Sequence, residues 1–270
     1  MNKKSTSRII ACLVAALLVV GCASGPPEMP YPAFIQIDEL PDMFMASLPG
    51  IRAKQFAGDP QMRTTANRID LPMEWSGTSG ASPGKALEIF VLAGELQLAD
   101  VLLGNGGYAY LPPGTLGFNM TTSVGARILY FLDDVDTKAV IKTPLILDSQ
   151  LVDWRSVDED GRSKKVLRAD PGSGARTWLL RVEPGAVLPW TSSSVLQEGY
   201  LVMGHYQHSE CVAGEAKTAE YLTGGYFRRP PDAVNGGPEA IALTESIWIL
   251  REQKKSVTTL VDSCGQPGSG

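Results

Sequence analysis

Histidine is almost missing from this chain. Two occur in 270 residues, His205 and His208, so no centre built on three imidazoles can be assembled, and a Ser-His-Asp triad would have to use one of these two. No G-x-S-x-G nucleophile elbow occurs. Gly104-x-Gly106-Gly107 lies between apolar runs with no helix-like pattern after it, which makes it a turn and not a phosphate loop. After residue 50 no uninterrupted amphipathic stretch of helical period survives, while 28 Gly and 19 Pro punctuate the sequence, so many short strands are expected. Hydrophobic residues make up 44% and charged residues 20%, an ordinary globular balance able to bury one large or two medium cores.

The first 21 residues stand apart. Lys3, Lys4 and Arg8 precede an apolar run, Ile9 to Val20, that is too short for a comfortable membrane span. Val19-Val20-Gly21-Cys22 resembles the lipobox of bacterial lipoproteins, in which Cys22 would be lipidated and become the mature N-terminus. A plain secretory signal and an uncleaved anchor are the other readings. Val19 departs from the leucine commonest at its position, and Ala23 after the cysteine favours the outer membrane, facing the periplasm, over retention at the inner one.

Cleavage would remove three cations and no acids, taking the formal charge from −5 to −8. Such a chain is a poor partner for nucleic acid, or for a membrane other than through its lipid anchor. Of four cysteines, Cys12 leaves with the leader and Cys22 is the anchor, so Cys211 and Cys264 remain. In an oxidising compartment they read as a disulfide tying the tail to the preceding fold. Two free buried thiols stay open, because spacing does not show that the pair meets.

Residues 22–50 hold a Pro-rich tether, 23–33, where no function is expected, and a lead-in strand. From residue 51 the chain repeats itself. Asp59-Pro60 recurs as Asp170-Pro171 at an offset of 111, Glu88 and Gly94 as Glu198 and Gly204 at 110, and Gly107-Tyr108 and Pro112-Pro113 as Gly225-Tyr226 and Pro230-Pro231 at 118. Order and spacing are both kept, which implies a duplication. The modules are expected at 51–140 and 141–255, with Val135 to Leu147 crossing between them and 256–270 as a tail. In the first, Glu88–Leu98 and Gly107–Leu111 read as two strands separated by the glycine turn and stopped by Pro112-Pro113-Gly114.

The segments GELQL and GGYAYLPPGT of the first copy, and VEPGAVLPW, EGYLVMG and TGGYFRRPP of the second, resemble the cupin superfamily. ADPGSGARTWLLRVEPGA followed by GGYFRRPP is similar to a group of uncharacterised bacterial bicupins. The resemblance covers about 200 residues and implies an all-β protein of two tandem jelly-roll barrels. The fold hosts oxygenases, decarboxylases, isomerases, sugar binders and storage proteins.

In the family a metal is usually held by three histidines and a carboxylate. Carried over by position, the ligand places of the second copy fall on Thr191, Ser193, Gln197 and Asn235, and two of those of the first on Leu87 and Gly117. Glu88 and Glu198 lie one residue too late, and a one-residue slip along a strand turns the side chain to the opposite face. His205 and His208, three apart, also face opposite ways on a strand. By the same rule at most one of Arg228 and Arg229 faces a barrel interior, and a solvated surface arginine is the usual state.

The expectation is therefore a bicupin with no cofactor. Trp190, Thr191, Ser193, Gln197, Tyr226 and Asn235 would line the second barrel and hold a small neutral polar molecule, while the first barrel would be filled and structural. A degenerate cavity whose polar groups satisfy one another is the other reading of the same residues. The alternatives in function are an oxygenase or isomerase using one divalent transition metal at a rearranged site around His205, His208 and Glu198, and an envelope scaffold acting as a homo-oligomer.

Overall fold

A computed structural model describes residues 31–45, 48, 50–59, 61–157 and 161–265. The lipobox and Cys22 lie outside them. The described residues form strands and two short 3-10 turns, arranged as four sheets.

In the first barrel a seven-stranded sheet runs Leu145–Asp148, Gly107–Leu111, Lys85–Gly94, Ala126–Asp134, Thr64–Leu71, Arg52–Asp59, Met43–Phe44. It faces a four-stranded sheet of Trp75–Ser79, Phe118–Thr122, Leu96–Leu98 and Val101–Leu103. The second barrel repeats the plan. Its seven-stranded sheet runs Ile35–Gln36, Gly225–Arg229, Gln197–Met203, Ser246–Glu252, Arg176–Val182, Arg162–Ala169, Arg155–Ser156, and the opposing sheet carries His205–Val212, Glu215–Leu222, Thr191–Ser193 and Val234–Asn235 among its six strands.

Two expectations are corrected. The run from Glu88 to Leu98 is not one strand: it breaks at Glu95, and Leu96–Leu98 pairs with Val101–Leu103 through a turn at Ala99, whose φ of 50° a tight reversal requires. The glycines at 104–107 then make a separate turn. Nor do the bounds 51 and 141 separate two sheets. Ile35–Gln36 pairs with Gly225–Arg229 of the second barrel, and Leu145–Asp148 pairs with Gly107–Leu111 of the first. The lead-in segment thus lends an edge strand to the second barrel and the start of the second module lends one to the first, each covering a row of backbone groups that would otherwise be exposed.

The repeat is geometric as well as sequential. The Asp59 carboxylate accepts the backbone N–H of Gln61 and Met62, and Asp170 accepts those of Gly172 and Ser173, the same turn twice. The second oxygen of Asp170 also accepts N–H of Val140 and Ile141, pinning the crossing segment.

The two seven-stranded sheets pack against each other through their outer faces. Phe90, Leu129 and Phe131 of the first meet Leu167, Leu179, Tyr200 and Ile249 of the second in one core. The central strands are therefore buried on both faces, and Lys85–Gly94 is buried at every residue from 85 to 91, which is why they read as continuous apolar runs and not as alternation. Inside the first barrel a separate core is filled by Ile69, Leu87, Ile89, Val91, Leu96, Leu98, Leu111 and Met120.

Candidate ligand site in the second barrel

Register shows how the barrel interiors differ. In the first, Leu87 sits opposite Leu111 on one side and Leu132 on the other. The matching layer of the second is Gln197, opposite Arg229 and Glu252. Three leucines are replaced by an amide, a cation and an anion.

These groups are knit together by hydrogen bonds inside the barrel. The Arg229 guanidinium donates from Nε to Glu210 Oε1 (2.6 Å), from Nη1 to Gln197 Oε1 (3.1 Å) and from Nη2 to His208 Nε2 (2.7 Å). It also lies flat over the Phe227 ring, 3.5 Å from the centroid. Gln197 donates to Glu252, which in turn accepts from Arg176 (2.6 Å), Ser256 and Ser193. Arginine can only donate, so His208 Nε2 is the acceptor and its proton sits on Nδ1, toward the Asn235 side chain. Burial, reinforced by Arg229, holds the His208 pKa well below the ordinary value and keeps the ring neutral.

Beside this network a cavity of about 440 Å³ opens to solvent. Four rings line it, Trp178, Tyr206, Phe227 and Trp248, together with Leu180, Leu188 and Leu250. Tyr206 and Phe227 meet Trp248 at centroid distances of 5.7 and 5.4 Å. The charged residues on its wall are Arg162, Lys164, Arg176 and Arg229, and no carboxylate stands among the described lining residues.

Of the expected ligand-binding residues, Thr191, Gln197 and Asn235 line this cavity, and Ser193 lies behind it against Glu252. Tyr226 and Trp190 do not belong there. Tyr226 is wholly buried between the barrels, its hydroxyl donating to Glu198 Oε1 at 2.7 Å, because it follows the parity of Glu198 and not of Gln197. Trp190 lies between the cavity residues Pro189 and Thr191 but turns away, its indole packed onto Gly237, where a Cβ would come within 2.2 Å of the ring.

His205, His208 and Glu198 do not converge. On one strand, His205 faces outward to Glu220 at 2.6 Å, while His208 is 3% exposed in the lumen. Glu198 belongs to the contact between barrels. Among the described residues no group of three His, Cys, Asp or Glu side chains comes together. With a guanidinium donating to its one buried imidazole nitrogen acceptor, the lumen does not fit a metal ion.

Glu88 and Glu198 point out of their barrels, as parity demands, yet both are buried because the outward faces meet. Each accepts from a tyrosine of its own copy: Tyr108 to Glu88 at 2.8 Å, and Tyr226 to Glu198. Arg251 bridges the two carboxylates from the second barrel, at 3.2 Å from Glu88 and 3.0 Å from Glu198, and also binds Asp133. Arg168 adds a contact of 2.8 Å to Glu88. Arg228 and Arg229 divide as predicted: Arg228 is exposed and reaches back to Glu198 at 3.4 Å, whereas Arg229 is buried in the lumen.

Two further points were not foreseen. Tyr31, in the supposedly inert tether, donates its hydroxyl to Glu210 Oε2 at 2.8 Å, backing the anion that holds Arg229. Arg229 itself was within reach of the sequence, since the offset of 118 that matches the Pro-Pro stops also aligns it with Leu111. Cys211 and Cys264 are bonded, with Cα atoms 5.5 Å apart.

No family model and no curated protein matches the chain. Solved structures do. A candidate dioxygenase from Nostoc punctiforme is 19% identical with a TM-score of 0.65, the match covering 85% of this chain and 86% of that one. The E. coli protein Ylba, of family DUF861, is 14% identical with a TM-score of 0.66, over 81% and 89%. A variant of Bacillus subtilis oxalate decarboxylase is 11% identical with a TM-score of 0.64, over 87% and 81%. The chain has the bicupin fold. At these identities the likeness speaks for architecture, so the chemistry of this bicupin rests on its own residues.

Proposed function

We propose that this bicupin is an exported, lipid-anchored envelope protein that binds a small molecule in its second barrel and catalyses no reaction there. The observation that carries the reading is the exchanged layer: Leu87, Leu111 and Leu132 fill one barrel, while Gln197, Arg229 and Glu252 border a cavity of about 440 Å³ in the other. That volume lies in the range of ligand sites, and an apolar wall with a few convergent polar groups is their usual make-up. Support for the non-catalytic part comes from the saturation of the polar groups. His208 has both nitrogens engaged and stays neutral, and Glu210 and Glu252 are each held by an arginine. The envelope assignment is supported by the lipobox-like sequence ending at Cys22.

A thermal-shift screen of the full chain against small organic acids, sugars and amides tests the reading. At least one class should raise the melting temperature. Val166 lies on the cavity wall and is 46% exposed, so Val166→Trp should abolish that shift by filling the mouth without destabilising the fold. No shift with any compound, or shifts indifferent to Val166→Trp, would overturn it.

A further inference from the structure

Given the binding role proposed for the second barrel, we infer that its ligand is an amphipathic monoanion, a carboxylate on a compact apolar or aromatic body, received by the Tyr206 hydroxyl. Tyr206 is 1% exposed and lines the cavity, yet its hydroxyl oxygen is buried without a hydrogen-bond partner. A buried donor left unmade is costly, and native structures seldom tolerate one without a reason. The acceptors of its own strand on that face are already taken. His208 Nε2 is occupied by Arg229, and Glu210 accepts from Arg229 and Tyr31. The hydroxyl thus has a proton to offer, on a side chain that borders the cavity.

The sign of the missing acceptor follows from the surrounding charge. Among the described residues, Arg229 and Arg162 are the charged groups that bear on the Tyr206 hydroxyl. The wall as a whole carries four cations, while Glu210 and Glu252 sit behind it, each tied to an arginine. A neutral ligand would leave that field unused, and a cationic one would oppose it. A buried anion requires both a donor and nearby positive charge, which this place supplies. The body of the ligand follows from the rest of the wall. Trp248 stands edge-on to Tyr206, with Phe227, Trp178 and Leu250 continuing the surface, so flat or branched apolar groups would be covered.

The test uses the full chain in detergent micelles, with 2-naphthoate and its neutral analogue 2-naphthalenemethanol as probes, read by calorimetry and by quenching of tryptophan fluorescence. Val166→Trp, with its mouth closed, corrects for partition into the micelle. Wild type should bind naphthoate at least about tenfold more tightly than the alcohol. Tyr206→Phe should weaken naphthoate binding severalfold and the alcohol's by less, so that the preference shrinks while the melting temperature stays unchanged, since the hydroxyl has no hydrogen-bond partner within the protein. Equal binding of the two probes, or an unaltered preference in Tyr206→Phe, overturns the inference while the binding role stands. Binding of neutral sugars or amides with none of naphthoate also overturns the inference alone. If nothing binds, both fall.

Discussion

The two barrels share a backbone plan and differ in what one layer of side chains does. Leu87, Leu111 and Leu132 complete a core that closes the first barrel, whereas Gln197, Arg229 and Glu252 hold the second open beside a cavity. The outer faces differ less. Glu88 with Tyr108 and Glu198 with Tyr226 are the same pair made twice, and they are joined where the duplicated modules meet. Counterparts even touch: Phe131 and Arg251 occupy matching places opposite the two glutamates, and the Arg251 guanidinium lies 3.9 Å from the Phe131 centroid. Duplication thus kept the surface that pairs the copies and released the interior of one of them.

The sharpest way to break this arrangement is at the shared surface. Arg251 is 1% exposed and neutralises carboxylates of both barrels. Arg251→Ala would take from Asp133 the arginine that binds it and leave Glu88 and Glu198 with Arg168 and Arg228 alone, and a loss of roughly 3–5 kcal/mol is expected for under-compensated buried charge. Urea unfolding should show the transition moving to much lower denaturant, with the two barrels separating into distinct steps. Acid probes the same cluster. Burial pushes the Glu88 carboxyl up, but Arg168 and Arg251, with hydrogen bonds from Thr177 and Tyr108, outweigh it and hold the pKa at about 2 against an ordinary 4.5. A carboxylate depressed in the fold stabilises fully above 4.5, and that contribution, about 3 kcal/mol, fades as pH falls from 4.5 toward 2. Asp133, raised by burial despite Arg251, acts in the opposite sense. Glu88→Gln should therefore be less stable than wild type at neutral pH and show a flatter loss over that acid window.

The second barrel alone carries a covalent staple. The Cys211–Cys264 bond spans 53 residues and ties the tail to the hairpin that bears His208. Cys264→Ser should cost about 2–4 kcal/mol by releasing that loop in the unfolded chain. Proteolysis of the variant should begin in the second barrel, and equal sensitivity of the two barrels would argue against the staple's local role.

Much of this was legible beforehand, and the limits have physical causes. Turn residues and Pro-Pro stops fixed the duplication, because glycine and proline act locally on the backbone. Parity correctly placed Glu88 and Glu198 outside their barrels. That outward would still mean buried was not legible, since burial depends on what the neighbouring sheet covers and alternation reports only the face. Tyr226 was misassigned to the lumen for the same reason: with both faces buried, its apolar ring gives no sign of which side it occupies. His208 was placed on the face opposite to His205, as found, but its role as an acceptor depends on Arg229, 21 residues further along the chain and on the opposing sheet. Long-range polar partners of this kind leave no periodic trace.

The smallest effects should come from exchanging the layers themselves. Gln197→Leu restores the residue found at Leu87. It removes one of several partners from both Arg229 and Glu252, each of which keeps others, so a cost of about 1 kcal/mol is expected. The reverse change, Leu87→Gln, would place an amide among Leu111, Ile89 and Met120 with no side-chain partner in that core, at roughly 2 kcal/mol or more. Denaturant midpoints of the two variants should therefore differ in a fixed order, with Leu87→Gln the less stable. Equal costs would mean that the first barrel tolerates polar groups as readily as the second, and the division between a filled barrel and an open one would lose its energetic basis.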